Sequence, residues 1–303
     1  MNAIELSGIT KTFGSHTAVD DLHLTVPAGS VYGFIGPNGS GKTTTLRMIM
    51  NILYPDCGEI RVFGERMHGS WSERIGYMPE ERGLYKRMKV ADHLRFLAGL
   101  KGMKNARHAV REWLQRFDLT GWADKKIETL SKGMAQKVQF IATVVTRPQL
   151  VILDEPFTGL DPVNTDALRV AILELQRNGT TVIFSTHDMN MAERMCDFIF
   201  MIFRGRKVLD GTLESIQDQF GTDTVRIRTD DGMEVLHNLQ DVQKINDFGQ
   251  LQELRLAPGA DPQRLLAAML ERTRIQSFEI VRPSLHDIFV RIAGPESREA
   301  IHA

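Results

Sequence analysis

Gly36-Pro37-Asn38-Gly39-Ser40-Gly41-Lys42-Thr43 carries the residue types and spacing that grip phosphate. It fits G-x-x-x-x-G-K-[ST], the Walker A pattern. Glycines let backbone N–H groups approach an anion with no side chain in the way. A helix starting behind the loop adds partial positive charge. Lys42 brings a full charge to the β- and γ-phosphates, and the Thr43 hydroxyl suits Mg²⁺. The expected ligand is ATP with Mg²⁺, and the binding set runs on to Thr44. A second group is Asp154-Glu155, at the end of the apolar run Leu150-Val151-Ile152-Leu153. Two carboxylates ending a buried strand are costly unless something there uses their charge. Asp154 is expected to hold Mg²⁺ through water. Glu155 is expected to polarise a water against the γ-phosphate, a general-base role worth about 10²–10⁴-fold in rate. His187, in Ser185-Thr186-His187-Asp188, ends another strand in the same way. A lone histidine is more often a structural hydrogen-bonder, but this position favours a γ-phosphate sensor.

These groups need a scaffold that gathers strand ends. Ser30–Ile35 reads as a buried strand ahead of the phosphate loop, and a helical stretch runs from Lys42 to about Ile52. Leu150–Leu153 shows no alternation, as expected of a strand covered on both faces, and Thr181–Ser185 reads as a third strand. Between them Asp161-Pro162 opens a helix, with Asp as N-cap and Pro at the first position, that stops at Gly179. Strand, helix, strand implies parallel pairing and an α/β core, whose ligands bind beyond the carboxyl ends of the strands. From Val90 to Arg147 apolar residues recur at helical spacing, which predicts a helical subdomain inserted into that core. A boundary is expected near Gln219–Thr222. The remainder holds strand candidates at Thr224–Arg228, Leu251–Leu256 and Ile275–Val281. A helix is expected from about Asp261 to Arg272, and a last one capped by Ser284 and Asp287. The expected division is 1–220 for the α/β domain and 221–303 for a small α+β accessory domain.

At 303 residues, 42% apolar and 25% charged, the chain suits about two ordinary globular domains. Its formal net charge is -1, and the part from Gly221 on carries 10 Lys+Arg against 13 Asp+Glu. A broad grip on nucleic acid needs a positive excess, so no nucleic-acid partner is expected. Cys57 and Cys196 are the only cysteines and neither lies in a CxxC, so two reduced thiols are expected. Met1–Thr10 lacks a basic patch before an apolar core, so no secretory signal is expected. The longest strongly apolar run, Phe198–Phe203, falls far short of the ~20 residues that span a bilayer.

Together with Gly159-Leu160-Asp161, these motifs resemble the nucleotide-binding subunit of an ABC transporter. Leu130-Ser131-Lys132-Gly133-Met134, followed by Ala135-Gln136-Lys137-Val138, is similar to the L-S-G-G-Q signature and stands about twenty residues before the acidic strand. The resemblance spans roughly Ile4 to Gly211. It implies a P-loop ATPase fold, an adenine stacked on Phe13, and Glu80 at the Q-loop position near Mg²⁺. It also implies Asp161 as part of the catalytic set. Three departures bear on the hydrolysis rate: Lys132 and Met134 in the signature, Glu80 where the family usually has Gln, and Phe13 where a Tyr often stands. Met78–Tyr85 and the ending Pro283–Phe289 resemble an exporter branch that includes sodium-extrusion, drug and antibiotic exporters.

The resemblance implies a head-to-tail homodimer in which Ser131, Lys132 and Gly133 of one chain close over ATP at the other's phosphate loop. It implies an integral membrane permease as partner, docked beside Glu80–Met88, and a peripheral place on the inner face of the cell membrane. Arg82, Lys86, Arg87 and Lys89 make that stretch basic, which a solvated loop explains as well as a docking role. The alternative weighed here is a soluble ABC-type ATPase acting on a macromolecular partner such as the ribosome. Such proteins usually carry two cassettes or long coiled-coil insertions, and this sequence has neither. A small-molecule P-loop kinase would leave Ser131, Asp161 and His187 unexplained together.

Overall fold

The computed structural model describes residues 1–66, 73–81, 83–221, 223–237 and 239–294. Two units divide it, one from Met1 to Thr212 and a second starting at Leu213. The first opens with β1 (Asn2–Phe13), β2 (His16–Pro27), β3 (Val31–Ile35), α1 (Lys42–Ile49), β4 (Cys57–Val62), β5 (Glu65–Arg66) and β6 (Ile75–Met78). The helices α2 (Val90–Leu100), α3 (Arg107–Arg116) and α4 (Lys132–Val144) follow. It closes with β7 (Leu150–Asp154), α5 (Pro162–Arg177), β8 (Thr181–Thr186), α6 (Met189–Met195), β9 (Phe198–Phe203) and β10 (Arg206–Gly211).

A six-stranded sheet, ordered β10-β9-β3-β8-β7-β6, forms the centre. From β9 to β6 its neighbours are parallel. Only β10 pairs antiparallel, with β9. The uniform apolarity of β7 and β8 now has its cause, because residues on the two faces feed two different cores. Val151, Leu153, Val182 and Phe184 pack with α2–α5 on one side. Leu150, Ile152, Ile183, Phe34 and Phe200 pack with α1 and the strands β1, β2 and β4 on the other. Each such side chain contributes about 1.5–3 kcal/mol by leaving water. The α/β class and the helical insertion expected from sequence are both present.

The sequence reading did not foresee the antiparallel sheet β2-β1-β4-β5. Its long strands shift register between Leu6 and Ile9 and again near Lys11, so their alternation is interrupted. Asp21 bends β2 further, with a left-handed φ of 45°. Helix α1 ends at Ile49, earlier than expected, because Asn51 turns to a left-handed φ of 56°. Cys57 and Cys196 are free.

The second unit holds α7 (Leu213–Phe220), β11 (Thr224–Thr229), β12 (Val242–Asp247), β13 (Gln252–Leu256), α8 (Pro262–Leu270), β14 (Ile275–Val281) and α9 (Leu285–Ala293). Its strands form one antiparallel sheet, β12-β13-β11-β14. One face of that sheet packs on α8 through Val225, Ile227, Leu254, Leu265 and Met269. Ser284 and Asp287 form the expected capping box of α9. Strand β12 was not anticipated, since Val-Gln-Lys-Ile-Asn-Asp is an edge strand with little apolar content. Among the described residues no helix is long and apolar enough to cross a membrane.

Candidate functional site

The loop between β3 and α1 owes its path to glycine at two points. A side chain on Gly36 would collide with the Ile202 carbonyl, and one on Gly41, at φ 108°, with the Ala18 carbonyl. Lys42, the first residue of α1, is only 6% exposed. Its Nζ donates to the carbonyls of Gly36 at 2.7 Å and Pro37 at 3.1 Å. Burial pulls the ammonium's pKa down, and the nearby charges of Glu155, Asp154 and Glu80 oppose that shift.

β7 delivers Asp154 beside this loop. Its Oδ1 accepts from Ser185 Oγ at 2.5 Å and lies 3.4 Å from Thr43 Oγ1. Its Oδ2 is buried with no hydrogen-bond partner among the described residues. An orphaned carboxylate oxygen next to a hydroxyl is a hard-oxygen donor pair, and the residues fit Mg²⁺ completed by phosphate and water. No group of three or more His, Cys, Asp or Glu among the described residues makes a metal site on protein ligands alone.

Glu155 follows at a left-handed φ of 48° and is 8% exposed. Its N–H donates to Ser185 Oγ at 3.0 Å, and its Oε2 accepts from Thr158 Oγ1 at 3.2 Å. His187 Nδ1 lies 3.1 Å from both carboxylate oxygens. The rest of the imidazole is open to solvent.

A cavity of about 390 Å³ lies over the loop, lined by Phe13, His16, Ala18, Asn38 to Thr44, Glu80 and Glu155. Phe13 stands at its rim with Lys11 Nζ 5.6 Å from the ring centroid. His16 and Ala18 are additions that motif reading missed. The turn Gly14-Ser15 between Phe13 and His16 was the available signal, because a tight hairpin returns β2 beside Phe13. Ser185 was missed too, since its role arises from the β7–β8 pairing of Asp154 with Ser185.

Ser131, Lys132, Gly133 and Asp161 do not line this cavity. Ser131 caps α4 by accepting from Met134 N, and Asp161 caps α5 by accepting from Asn164 N. These two helix starts adjoin: a Cβ on Gly133 would stand 3.0 Å from Asn164 Nδ2. The expected site residues therefore fall into two clusters, one around the loop and one at the starts of α4 and α5. Arg82 lies outside the described residues.

The family model for the ABC transporter domain matches residues 19–158. That for the C-terminal domain of DrrA1-3-like ATP-binding proteins matches 211–293. An uncharacterized ABC transporter ATP-binding protein of Bacillus subtilis, YhaQ, is 42% identical over 294 residues, covering 96% of this chain and 98% of its own. The Nod factor export ATP-binding protein I of Burkholderia lata is 33% identical, with 98% of each chain covered. The daunorubicin/doxorubicin resistance ATP-binding protein DrrA of Streptomyces peucetius is 32% identical over 96% of this chain and 92% of its own. A solved ATP binding subunit of an ABC transporter superposes with a TM-score of 0.68 at 31% identity, covering 72% of this chain and 93% of that one.

Proposed function

This chain belongs to the ABC transporter family as an ATP-binding subunit that hydrolyses ATP to power transport, and from that premise we propose how its residues divide the work. Lys42 and the backbone N–H groups of Gly36 to Thr44 hold the phosphates, and Phe13 stacks on the adenine. Thr43, Asp154 and Glu80 are the residues that would hold Mg²⁺, which would supply charge to neutralise the phosphates. Glu155 takes a proton from the attacking water as its oxygen bonds to the γ-phosphorus and the bond to the ADP oxygen breaks. His187 fixes the Glu155 carboxylate through Nδ1 and reads the γ-phosphate.

The observation that carries this reading is the meeting of Lys42, Thr43, Asp154, Glu155 and His187 at the carboxyl ends of the parallel strands β3, β7 and β8. The separate cluster of Ser131, Lys132, Gly133 and Asp161 supports a head-to-tail homodimer in which it closes the other copy's nucleotide. The α4 start brings N–H donors to a γ-phosphate. Swinging that pair from 1:99 to 99:1 closed takes roughly 5.5 kcal/mol, or on the order of 3 per γ-phosphate, within reach of a few charge-assisted hydrogen bonds. Its permease partner docks beside Glu80–Met88, which puts the subunit at the inner face of the membrane. Export is the direction favoured by the relatives named for Nod factor export and drug resistance. The division into a nucleotide domain, 1–220, and an accessory domain, 221–303, with no nucleic-acid partner, completes the proposal.

Calorimetry and turnover test it. Lys42→Ala loses ATP affinity. Glu155→Gln keeps affinity, loses about 10²–10⁴-fold in turnover and accumulates an ATP-bound dimer by light scattering. Wild-type turnover in Glu155→Gln removes Glu155 as the base.

A further inference from the structure

Ser185 ends β8 fully buried and in register with Asp154. One hydroxyl serves both acids: its hydrogen goes to Asp154 Oδ1 at 2.5 Å, and its lone pair receives the Glu155 N–H at 3.0 Å. Neighbouring strand hydroxyls are spent differently, Thr181 Oγ1 on Gly29 N and Thr186 Oγ1 on Asp188 N.

Each bond answers a local need. A buried carboxylate turns about its last torsion unless one oxygen is tied. Tying Oδ1 aims Oδ2, which is buried and unpartnered among the described residues. Glu155 holds a left-handed φ of 48°, which persists in a non-glycine residue only when its surroundings over-determine it. The bond to its own N–H supplies that constraint, because an orphaned buried N–H is costly.

Resting on the assignment of Asp154 to the cation and Glu155 to the water, we infer that Ser185 is a positioning residue for ATP hydrolysis, orienting both carboxylates through a single hydroxyl. Its hydrogen bonds go to Asp154 and Glu155 and, among the described residues, to none of the phosphate loop. Its loss therefore strikes the cation and the chemistry while sparing metal-free nucleotide binding.

The test uses the full chain. Mn²⁺ serves as the cation probe, followed by electron paramagnetic resonance with ATP present, and ATP binding in EDTA is followed by calorimetry. Ser185→Ala is expected to weaken Mn²⁺ binding by about 10–100-fold, the scale of one hydrogen bond to a charged group. Turnover falls through kcat, and ATP affinity in EDTA stays at the wild-type value. Ser185→Thr, which keeps the hydroxyl, restores Mn²⁺ affinity. Should Ser185→Ala fail to fold, Ser185→Cys keeps the volume with a much poorer hydrogen-bonding group and shows the same split. Unchanged Mn²⁺ affinity in both variants overturns the proposal. So does a loss of EDTA-phase ATP affinity in step with the metal, the mark of general disruption. A wild-type chain that binds neither ATP nor Mn²⁺ overturns the site assignment beneath, and the proposal with it.

Discussion

Lys42 is a buried cation faced by three carboxylates, Glu155, Asp154 and Glu80. Burial favours the neutral amine and lowers its pKa, and those charges oppose the shift. Glu80 is the one that can be changed without touching the strand-end pair, and its charge also opposes the phosphates that the cavity takes. Glu80→Gln is expected to tighten ATP binding about 2–10-fold, the size of one partly screened like-charge repulsion. Calorimetry at low and high salt checks this, and the gain should shrink as salt rises. Weaker binding in Glu80→Gln would mean that the carboxylate serves nucleotide through the cation more than it repels phosphate. At this scale the chain was most legible where chemistry is local in sequence. Gly36 to Thr43 and Asp154-Glu155 announce themselves by spacing. His16 and Ala18 had only the Gly14-Ser15 hairpin turn to announce them, and Ser185 meets Asp154 through the β7–β8 pairing, which no short pattern carries.

Between residue and fold stand the helices that hold the loops. α4 starts at the Ser131 cap and carries two buried glutamines on the face turned to the sheet. Gln136 Nε2 donates to the Pro156 carbonyl at 3.0 Å, directly after Glu155. Gln139 Nε2 donates to the Pro79 carbonyl at 2.7 Å, directly before Glu80. One rigid helix is thereby tied to both acidic loops, so a movement felt at Ser131 has a path to each. α2 shows a different strain. His93 is wholly buried, and neither ring nitrogen has a hydrogen-bond partner among the described residues. The Tyr85 ring meets it edge-on at 5.5 Å. Burial lowers its pKa below the ordinary 6.5. Above that pH both folded and unfolded chains carry it neutral. As pH falls through 6.5 the unfolded chain takes the proton first, so stability drops until the folded pKa is reached. Thermal melts between pH 5 and 7.5 should show a fall toward acid for the wild type. His93→Leu should flatten that fall, and an identical slope in both would deny His93 the role. Sequence spacing placed His93 on a helical face but could not say that its nitrogens would go unpaired, since Tyr85 and the helix meet only in the folded chain.

Every residue that lines the nucleotide cavity precedes Thr212, and the second unit has a sheet and core of its own. The sequence carries a candidate boundary near Gln219–Thr222. The second compact unit begins at Leu213, and α7 is tied within it: Arg282 pairs with Glu214 and Asp218, and Gln217 donates to the Pro283 carbonyl. A helix whose partners lie seventy residues downstream gives no local sign of which unit it serves. The cut matters experimentally. Ending the chain at Phe220 would leave α7 without α9 and expose Ile216, which is fully buried. Ending it at Thr212 removes the unit whole. The shorter chain is expected to keep the ATP affinity of the full one by calorimetry. It should also sediment less with membranes that contain the permease, if the accessory unit aids docking or dimerisation. Loss of ATP affinity at Thr212 would show that the nucleotide site depends on the second unit. Full membrane recovery of the shorter chain would leave docking to the first unit alone, through the stretch from Glu80 to Met88.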